Sequence, residues 1–284
     1  MAAAPVPADL ARQVERALEE DIGGGDLTAA LIPEGTRGRA RVITRERAII
    51  CGAPYADAVF AHIDPAVRVE WKIAEGAAAE ADQALFEVQG PARALLTGER
   101  TALNFLQLLS GTATAAHAYV LRLEGTACRV LDTRKTIPGL RSAQKYAVRV
   151  GGGQNYRIGL FDGILIKENH IMAAGSIEQA VAAARASGAK VPVEVEVESL
   201  DELRQAIAAG ADIAMLDDFP HETLTQAVAM NRAAARPLKL EASGGVTLET
   251  IRAIAETGVD FISVGSITKH LRAVDLSMRF EWSR

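Results

Sequence analysis

Two adjacent permanent cations, Arg134 and Lys135, stand where the short apolar run Val130-Leu131 gives way to Asp132-Thr133. Arg offers a planar fork that matches a carboxylate, and Lys a point charge suited to a phosphate. From Arg134 to Lys167 the chain carries seven cations (Arg134, Lys135, Arg141, Lys145, Arg149, Arg157 and Lys167) against one acid, Asp162. The chain as a whole is acidic, with a formal net charge of −5. Cations gathered in one loop-rich stretch of an acidic protein point to a small anion as ligand, and the missing global basic field argues against nucleic acid. Arg157, which follows Gly151-Gly152-Gly153-Gln154-Asn155-Tyr156, adds a second guanidinium. Two such forks can grip two carboxylates. The three glycines either let backbone amides approach a ligand or serve a sharp reversal.

Lys167 closes the apolar run Ile164-Leu165-Ile166. At that place it is a fixed cation, a Schiff-base nucleophile, or one half of an ion pair with Glu196 or Asp217. Glu194, Glu196 and Glu198 recur every second residue, so on a strand they share one face, and a buried face does not tolerate three unpaired carboxylates. Cations, hydroxyl groups or Mg²⁺ must meet them, and Asp217-Asp218 at the end of the next apolar run adds to that set. Ser243-Gly244-Gly245 and Gly265-Ser266 end two further runs. Glycine loops in such places cradle phosphates with backbone N–H groups or serve tight turns only. Arg141, Lys145 and Arg149, four apart, fall on one helix face, which reads as a solvated face with anion steering as the functional alternative.

The elements that must position these groups follow from periodicity. Leu10, Val14, Leu18 and Ile22 recur every fourth residue and predict an opening helix stopped by Gly23-Gly24-Gly25. Strands are expected within Arg37–Ile50, over Val67–Ile73 and over Leu85–Val88. Helices are expected over Ala53–His62, Gly98–Leu109 and Thr112–Leu123, the last two split at Ser110-Gly111. This region, 1–112, mixes strands and helices without a βα repeat and reads as a separate domain. From Cys128 on, strand and helix alternate. Helices are expected over Leu140–Val150, Ile177–Ala186, Leu200–Ala208, Glu222–Ala234 and Leu248–Glu256, with Ser176, Ser199 and Thr247 as N-caps and Gly188, Gly210 and Gly258 as terminators. Alternating units imply parallel strands. Six strands ending in polar or glycine residues form the rim of a β/α barrel, whose active site lies at the strand C-termini. Six are fewer than the eight of a complete barrel. The segment Leu276–Trp282 alternates like a strand and is expected to return to the first domain.

Bulk properties narrow the class. At 49% apolar and 24% charged residues the chain is globular and long enough, at 284 residues, for a barrel plus a smaller domain. Cys51 and Cys128, both in apolar runs, form neither a disulfide framework nor a zinc pair and are expected as buried thiols. No apolar stretch approaches a membrane span. Met1–Pro7 lacks the features of a signal peptide and reads as a frayed tail, so the expected compartment is the cytoplasm.

Taken together, Asp132-Thr133-Arg134-Lys135-Thr136, Gly151-Gly152-Gly153-x-Asn155-x-Arg157, Leu165-Ile166-Lys167-Glu168-Asn169-His170, Glu194-Val195-Glu196-Val197, Met215-Leu216-Asp217 and Ser243-Gly244-Gly245 resemble the quinolinate phosphoribosyltransferase family. The resemblance runs from Asp26-Leu27-Thr28 to Val264-Gly265. It implies an α/β protein with an N-terminal α/β sandwich domain (1–112, with 275–284 returning to it) followed by an open, incomplete β/α barrel (113–274). It also implies transfer of phosphoribosyl from 5-phosphoribosyl 1-pyrophosphate to quinolinate with loss of CO₂, in NAD biosynthesis, by a homodimer with shared sites. On this resemblance Arg134 and Arg157 bind the quinolinate carboxylates, and Arg100, in Gly98-Glu99-Arg100-Thr101, reaches the neighbouring subunit's site. Lys135 and Lys167 surround the donor and the substrate carboxylate. Glu196 and Asp217 contact ribose hydroxyls and Mg²⁺. Ser243, Gly244, Gly245, Gly265 and Ser266 belong to loops that hold the 5′-phosphate, and no organic cofactor is needed. The family commonly has His at the place of Tyr156, which keeps a hydrogen bond but is neutral, and often Asn at that of Asp218. Competing readings are a paralogue of the same fold acting on nicotinate or a related acid, a Schiff-base lyase using Lys167, and a non-catalytic anion-binding protein.

Overall fold

The structure, a computed structural model, describes residues 4–281. The first residues of the expected tail and the end of the expected closing strand at Trp282 lie outside the described residues. Two compact units emerge from the contacts within the chain, and they interleave in sequence. The residues up to His117, Thr136–Gly152 and those from Ile267 on form one; Ala118–Lys135 and Gly153–Ser266 form the other. The sequence leads to the expectation of a boundary at 112/113, with 275–284 returning to the first unit.

The first unit opens with α1 (Leu10–Ile22), whose apolar stripe buries Val14 and Leu18 and whose end is marked by Gly23 at φ +51°. There follow β1 (Arg37–Thr44), β2 (Ala48–Ile49), α2 (Ala53–Ile63), β3 (Arg68–Trp71), β4 (Ala78–Ala79), β5 (Ala84–Pro91) and α3 (Ala92–Arg122). Near the C-terminus, β12 (Leu276–Glu281) pairs antiparallel with β1, so the four-stranded sheet runs β12-β1-β5-β3. β1 alternates exposed and buried residues over its first half, as a sheet with one covered face requires. Tyr55, Phe60, Phe86, Leu95, Leu103 and Leu106 fill the core, each contributing about 1.5–3 kcal/mol by burial.

Two expectations about helices are corrected. Ser110-Gly111 does not split a helix; α3 runs unbroken through both. These small residues permit close approach instead. Ser110 Oγ accepts the Cys51 N–H at 3.0 Å and donates to the Cys51 carbonyl at 3.2 Å, and a Cβ on Gly111 would collide with the Arg272 backbone carbonyl. Lys145, on α4 (Arg141–Val150), does not belong to a solvated stripe, for it is only 2% exposed. Residues 143–148 of this helix are all buried, so its polar period does not mark a solvent face.

In the second unit β6 (Arg129–Leu131), β7 (Ile164–Ile166), β8 (Val193–Val197), β9 (Ile213–Asp217), β10 (Lys239–Ser243) and β11 (Phe261–Ser263) form a six-stranded sheet, every neighbouring pair parallel, in the order β6-β11-β10-β9-β8-β7. The edges β6 and β7 do not pair with each other, so the barrel stays open. Gln154 makes an isolated parallel bridge to Leu131 along β6.

Helices α5 (Glu168–Ala174), α6 (Ile177–Ala186), α7 (Leu200–Ala209), α8 (His221–Arg232) and α9 (Ile251–Glu256) connect the strands; α10 (Ser266–Lys269) follows β11. α5 and α10 went unread in the sequence. Ser176 and Ser199 accept the backbone N–H of Gln179 and Glu202 as N-caps, which typically stabilises a helix by about 1 kcal/mol. Thr247 does not cap α9; Thr250 holds that place, and Thr247 closes a turn with it. Cys51 and Cys128 are free and buried. Among the described residues, no helix is long and apolar enough to cross a membrane.

Candidate active site

Strand alternation decides which side chains meet. Leu165 and Lys167, Glu196, Met215 and Asp217, Glu241 and Ser243, and Ser263 all line one cleft of about 290 Å³ in the second unit. Asp132, Thr133, Arg134, Lys135, Tyr156 and Arg157 complete its wall. The register aligns Glu196 with Met215 and Met215 with Glu241, and one layer higher Asp217 with Ser243. The cleft therefore lies toward the strand C-termini, as barrel geometry dictates.

Cations and acids interleave there. Lys167 forms a close ion pair with Glu196. The Lys167 N–H donates to His170 Nδ1 at 3.0 Å at the start of α5, which fixes the lysine backbone. The ion pair sets Lys167 beside Glu196 in the cleft, the ion-pair arrangement among the readings the sequence left open. Asp217 titrates above the ordinary carboxylate range because burial disfavours its charge, and Glu196 and Asp218 add repulsion. Ser243 and Lys167 offset part of this.

The loop bearing Arg157 is anchored at two points. Asp132, 1% exposed, accepts from Asn155 Nδ2 at 2.6 Å and from the Tyr156 N–H at 3.0 Å. Asp162 accepts the N–H groups of Ile158 at 2.8 Å and Gly159 at 3.0 Å. The Gly163 Cα packs on the Arg157 stem; a Cβ there would stand 3.2 Å from Arg157 Cδ. The earlier glycines have another use, since a Cβ on Gly151 would strike the Ala113 carbonyl. Gly151 is a packing position rather than a ligand cradle.

Below the rim two carboxyl groups are almost wholly buried, Glu194 at 0% and Glu241 at 1% exposure. Burial pushes both above the usual range, Glu241 strongly, and the Glu194 charge raises Glu241 further. The Tyr156 hydroxyl and Arg157 both favour the charged form of Glu194. The hydroxyl itself is pushed up, first by burial and then by Glu194.

The phosphate-loop candidates sit at the ends of β10 and β11. Gly244 and Gly245 have φ of +97° and +53°, and Asp218 folds against Gly244 with φ +51°. A Cβ on Gly265 would stand 3.0 Å from Lys135 Cδ, so this glycine makes room for the lysine stem. Ser266 Oγ lies 3.3 Å from the Tyr119 hydroxyl.

Of the residues singled out in the sequence, the cleft brings together Arg134, Lys135, Tyr156, Arg157, Lys167, Glu196, Asp217 and Ser243. Gly244, Gly245, Gly265 and Ser266 flank it on the loops described. Arg100 is exposed on α3 and is absent from the cleft lining. Glu198 lies past the end of β8, exposed, its N–H bound to Glu202 Oε2, so it does not share the inner face of Glu194 and Glu196. Sequence reasoning missed Asp132, Glu241 and Ser263 as cleft residues.

Among the described residues no group of three or more His, Cys, Asp or Glu side chains forms a metal cage. Glu196 and Asp217, facing each other with a repulsion that raises Asp217, fit a Mg²⁺ that takes its remaining ligands from phosphate and water.

Comparison with known proteins agrees with this arrangement. Residues 112–279 match the family "Quinolinate phosphoribosyl transferase, C-terminal domain", and residues 26–110 match "Quinolinate phosphoribosyl transferase, N-terminal domain". The chain is 44% identical over 260 residues (91% of this chain, 89% of the relative) to a probable carboxylating nicotinate-nucleotide pyrophosphorylase of Bacillus subtilis. To the carboxylating nicotinate-nucleotide pyrophosphorylase of Mycobacterium leprae it is 43% identical over 277 residues, covering 95% and 97% of the two chains. The solved structure of nicotinate-nucleotide pyrophosphorylase from Francisella tularensis superposes with TM-score 0.93 at 49% identity, over 98% of this chain and 99% of that one.

Proposed function

The chain belongs to the quinolinate phosphoribosyltransferase family, and from that premise we propose how its cleft carries out the family reaction. The protein is a carboxylating nicotinate-nucleotide pyrophosphorylase. It joins quinolinate to the ribose of phosphoribosyl pyrophosphate and releases pyrophosphate and CO₂. The observation that carries the residue assignment is the convergence of Arg134, Lys135, Arg157 and Lys167 on one cleft with Glu196 and Asp217.

Arg134 and Arg157 take the two carboxylates of quinolinate, each as a planar fork. Tyr156 lines the same wall and offers a neutral surface to the ring. Lys135 and Lys167 hold the anionic donor. Ser243, with the backbone of Gly244, Gly245, Gly265 and Ser266, receives the 5′-phosphate. The C1′–O bond to pyrophosphate breaks with its electron pair going to oxygen, and Glu196 and Asp217 stabilise the positive charge left on the ribose. The pyridine nitrogen then forms the bond to C1′. The C2–carboxylate bond breaks next, its electron pair stays on C2 beside the positively charged ring nitrogen, and that pair takes a proton from solvent. Glu196 and Asp217 are the residues to hold Mg²⁺, which when bound neutralises pyrophosphate charge.

Exposed Arg100 is assigned to the site of a second copy in a homodimer. The two free, buried thiols suit a reducing cytoplasm.

The purified chain, given quinolinate, phosphoribosyl pyrophosphate and Mg²⁺, should yield nicotinate mononucleotide, pyrophosphate and CO₂, and should use nicotinate far less well. A folded protein that forms no nucleotide removes the reading. Loss of turnover on chelation tests Mg²⁺. Mixing Arg100→Ala with Lys167→Ala protein tests the shared site, for only a dimer with exchanged Arg100 regains activity.

A further inference from the structure

Asp132 lines the cleft and takes no step in the scheme above, although it is only 1% exposed and directly follows β6. A buried carboxyl group is costly unless hydrogen-bond donors meet it, and here Asn155 and Tyr156 supply them. Asn155 Nδ2 donates to Oδ2 at 2.6 Å, and the Tyr156 N–H donates to Oδ1 at 3.0 Å. One carboxylate thus joins the segment that leads into Arg134 to the segment that leads into Arg157.

The two segments meet along a seam on the outer side of β6, an edge strand of the parallel sheet. The Gln154 N–H donates to the Val130 carbonyl at 2.9 Å, and the Asp132 N–H donates to the Gln154 carbonyl at 3.1 Å, which together make the parallel bridge between Leu131 and Gln154. This backbone pairing reaches no further than Asp132. Its carboxylate carries the seam on by two residues, through the Asn155 side chain and the Tyr156 backbone. Arg157 comes next on one chain segment, and Arg134 stands two residues past Asp132 on the other. The two sides are not held alike. On the opposite side of β6 the Val264 N–H donates to the Leu131 carbonyl at 3.0 Å, and Thr133 Oγ1 accepts the Lys135 N–H at 3.1 Å. The Arg134-Lys135 side is therefore fastened without the Asp132 carboxylate, and weakening that carboxylate's ties displaces the Arg157 side first.

We propose that Asp132 is a positioning residue that sets the specificity of the cleft for a diacid: its buried carboxylate fastens the segment bearing Arg157 to the end of β6 and so fixes the spacing between the Arg134 and Arg157 guanidiniums. The inference rests on the assignment of both arginines to quinolinate made above. Two carboxylates on neighbouring ring carbons have a fixed separation, and two planar forks match it only when their backbone origins are held relative to each other. A single carboxylate makes no such demand. Asp132 thereby governs affinity for the pyridine acid and its second carboxylate, and leaves donor binding to Lys135 and Lys167.

The test exchanges donor and acceptor across the seam in the full-length enzyme. Asn155→Asp sets a second carboxylate against that of Asp132 and should raise KM for quinolinate about tenfold or more, the size of one lost hydrogen bond to a charged group. KM for phosphoribosyl pyrophosphate should stay within about threefold, and the preference for quinolinate over nicotinate should fall. Adding Asp132→Asn to the same chain restores the pairing with its polarity reversed, since the introduced amide donates across the seam while its carbonyl accepts the Tyr156 N–H. The double variant should return KM for quinolinate to within about threefold of wild type. Asn155→Ala removes one tie and keeps the other; it should show the same selective rise at smaller size, and it carries the test if Asn155→Asp does not fold. Equal increases in both KM values, or no recovery in the double variant, overturn the proposal. A substrate-free crystal structure of Asn155→Ala tests the spacing apart from the reaction: the distance between the Arg134 and Arg157 guanidiniums should change, and an unchanged distance overturns it. Wild-type enzyme that makes no nucleotide would sink the functional reading and leave this structural comparison standing.

Discussion

Lys167 and Glu196 stand side by side because the register of β7 on β8 pairs Ile166 with Val195, and the next residue of each strand turns into the cleft. The ion pair is half open to water at Lys167 and mostly covered at Glu196, with 49% and 13% of the side chains exposed. Removing Lys167 leaves Glu196 and Asp217 facing each other without their nearest cation, in an empty cleft that must then receive a polyanion. Lys167→Ala and Glu196→Gln should each lower kcat/KM by on the order of 100-fold, the usual loss for one preorganised charge. The double variant should lose less than the product of the two, since the groups act as a unit. Steady-state kinetics on the three variants checks this; independent, multiplying losses would show that the pair has no joint role.

On the proposed assignment, Arg157 separates a diacid from a monoacid. Replacing it with Lys keeps the charge but removes the planar fork that meets a carboxylate at two points. Arg157→Lys should raise KM for quinolinate about tenfold or more and change the poorer nicotinate activity little, so discrimination between the two falls. Side-by-side kinetics with both acids gives the answer. Equal losses on both would mean that Arg157 serves the shared carboxylate, and Arg134 the second.

The sequence revealed those parts of the site that lie on a strand and announce themselves at its end. Lys167 and Asp217 each close an apolar run, Glu196 alternates with Glu194 inside its own strand, and a period of two carries such side chains to one face. Glu241 escaped because an acid two residues before the Ser243-Gly244-Gly245 loop reads as the approach to that loop and not as part of a buried strand. β10 runs on to Ser243, which puts Glu241 and Ser243 in phase. The same rule of alternation, applied two residues further, would have found it. Asp132 is different in kind. Its partners Asn155 and Tyr156 lie more than twenty residues on, and no local pattern shows such a tie. Ser110-Gly111 misled because a glycine breaks helices by default, and its use as a close-approach site is decided by what packs on it from Arg272. Lys145 misled for a related reason: helical period tells which residues share a face, and only packing tells whether that face is covered.

Gly244 carries the loop between β10 and α9. Its φ of +97° is a backbone state that side chains rarely adopt, and a Cβ there would also clash with the Asp218 carboxylate and stand 2.9 Å from the Asp218 backbone nitrogen. Gly244→Ala must therefore move the loop or Asp218, at a cost of about 1–3 kcal/mol. The expected result is a folded protein with a modestly lower melting temperature. Its KM for phosphoribosyl pyrophosphate should rise far more than that for quinolinate, because the displaced backbone is the one proposed to cradle the 5′-phosphate. An unchanged donor KM would remove this loop from the phosphate site.

A pH effect on stability should arise far from the chemistry, in the antiparallel sheet of the first unit. Glu87 on β5 accepts from Arg39 and from Arg41 at 3.1 Å on β1, and Lys72 lies 3.6 Å away. These cations hold its carboxyl down to about 2 from an ordinary value of 4.5, the hydrogen bond from Arg39 contributing most. A carboxyl whose value falls on folding stabilises the fold in full above its unfolded value, and that contribution disappears as pH drops through the folded one. Glu87→Gln should therefore melt below wild type at any pH well above 4.5, and the two curves should converge as pH falls from 4.5 toward 2. Added salt should shrink the gap, since exposed arginines supply the field. Thermal melts of the two proteins across that window decide the matter. A gap that stays constant down to the lowest pH would show that Glu87 acts through packing and not through its charge.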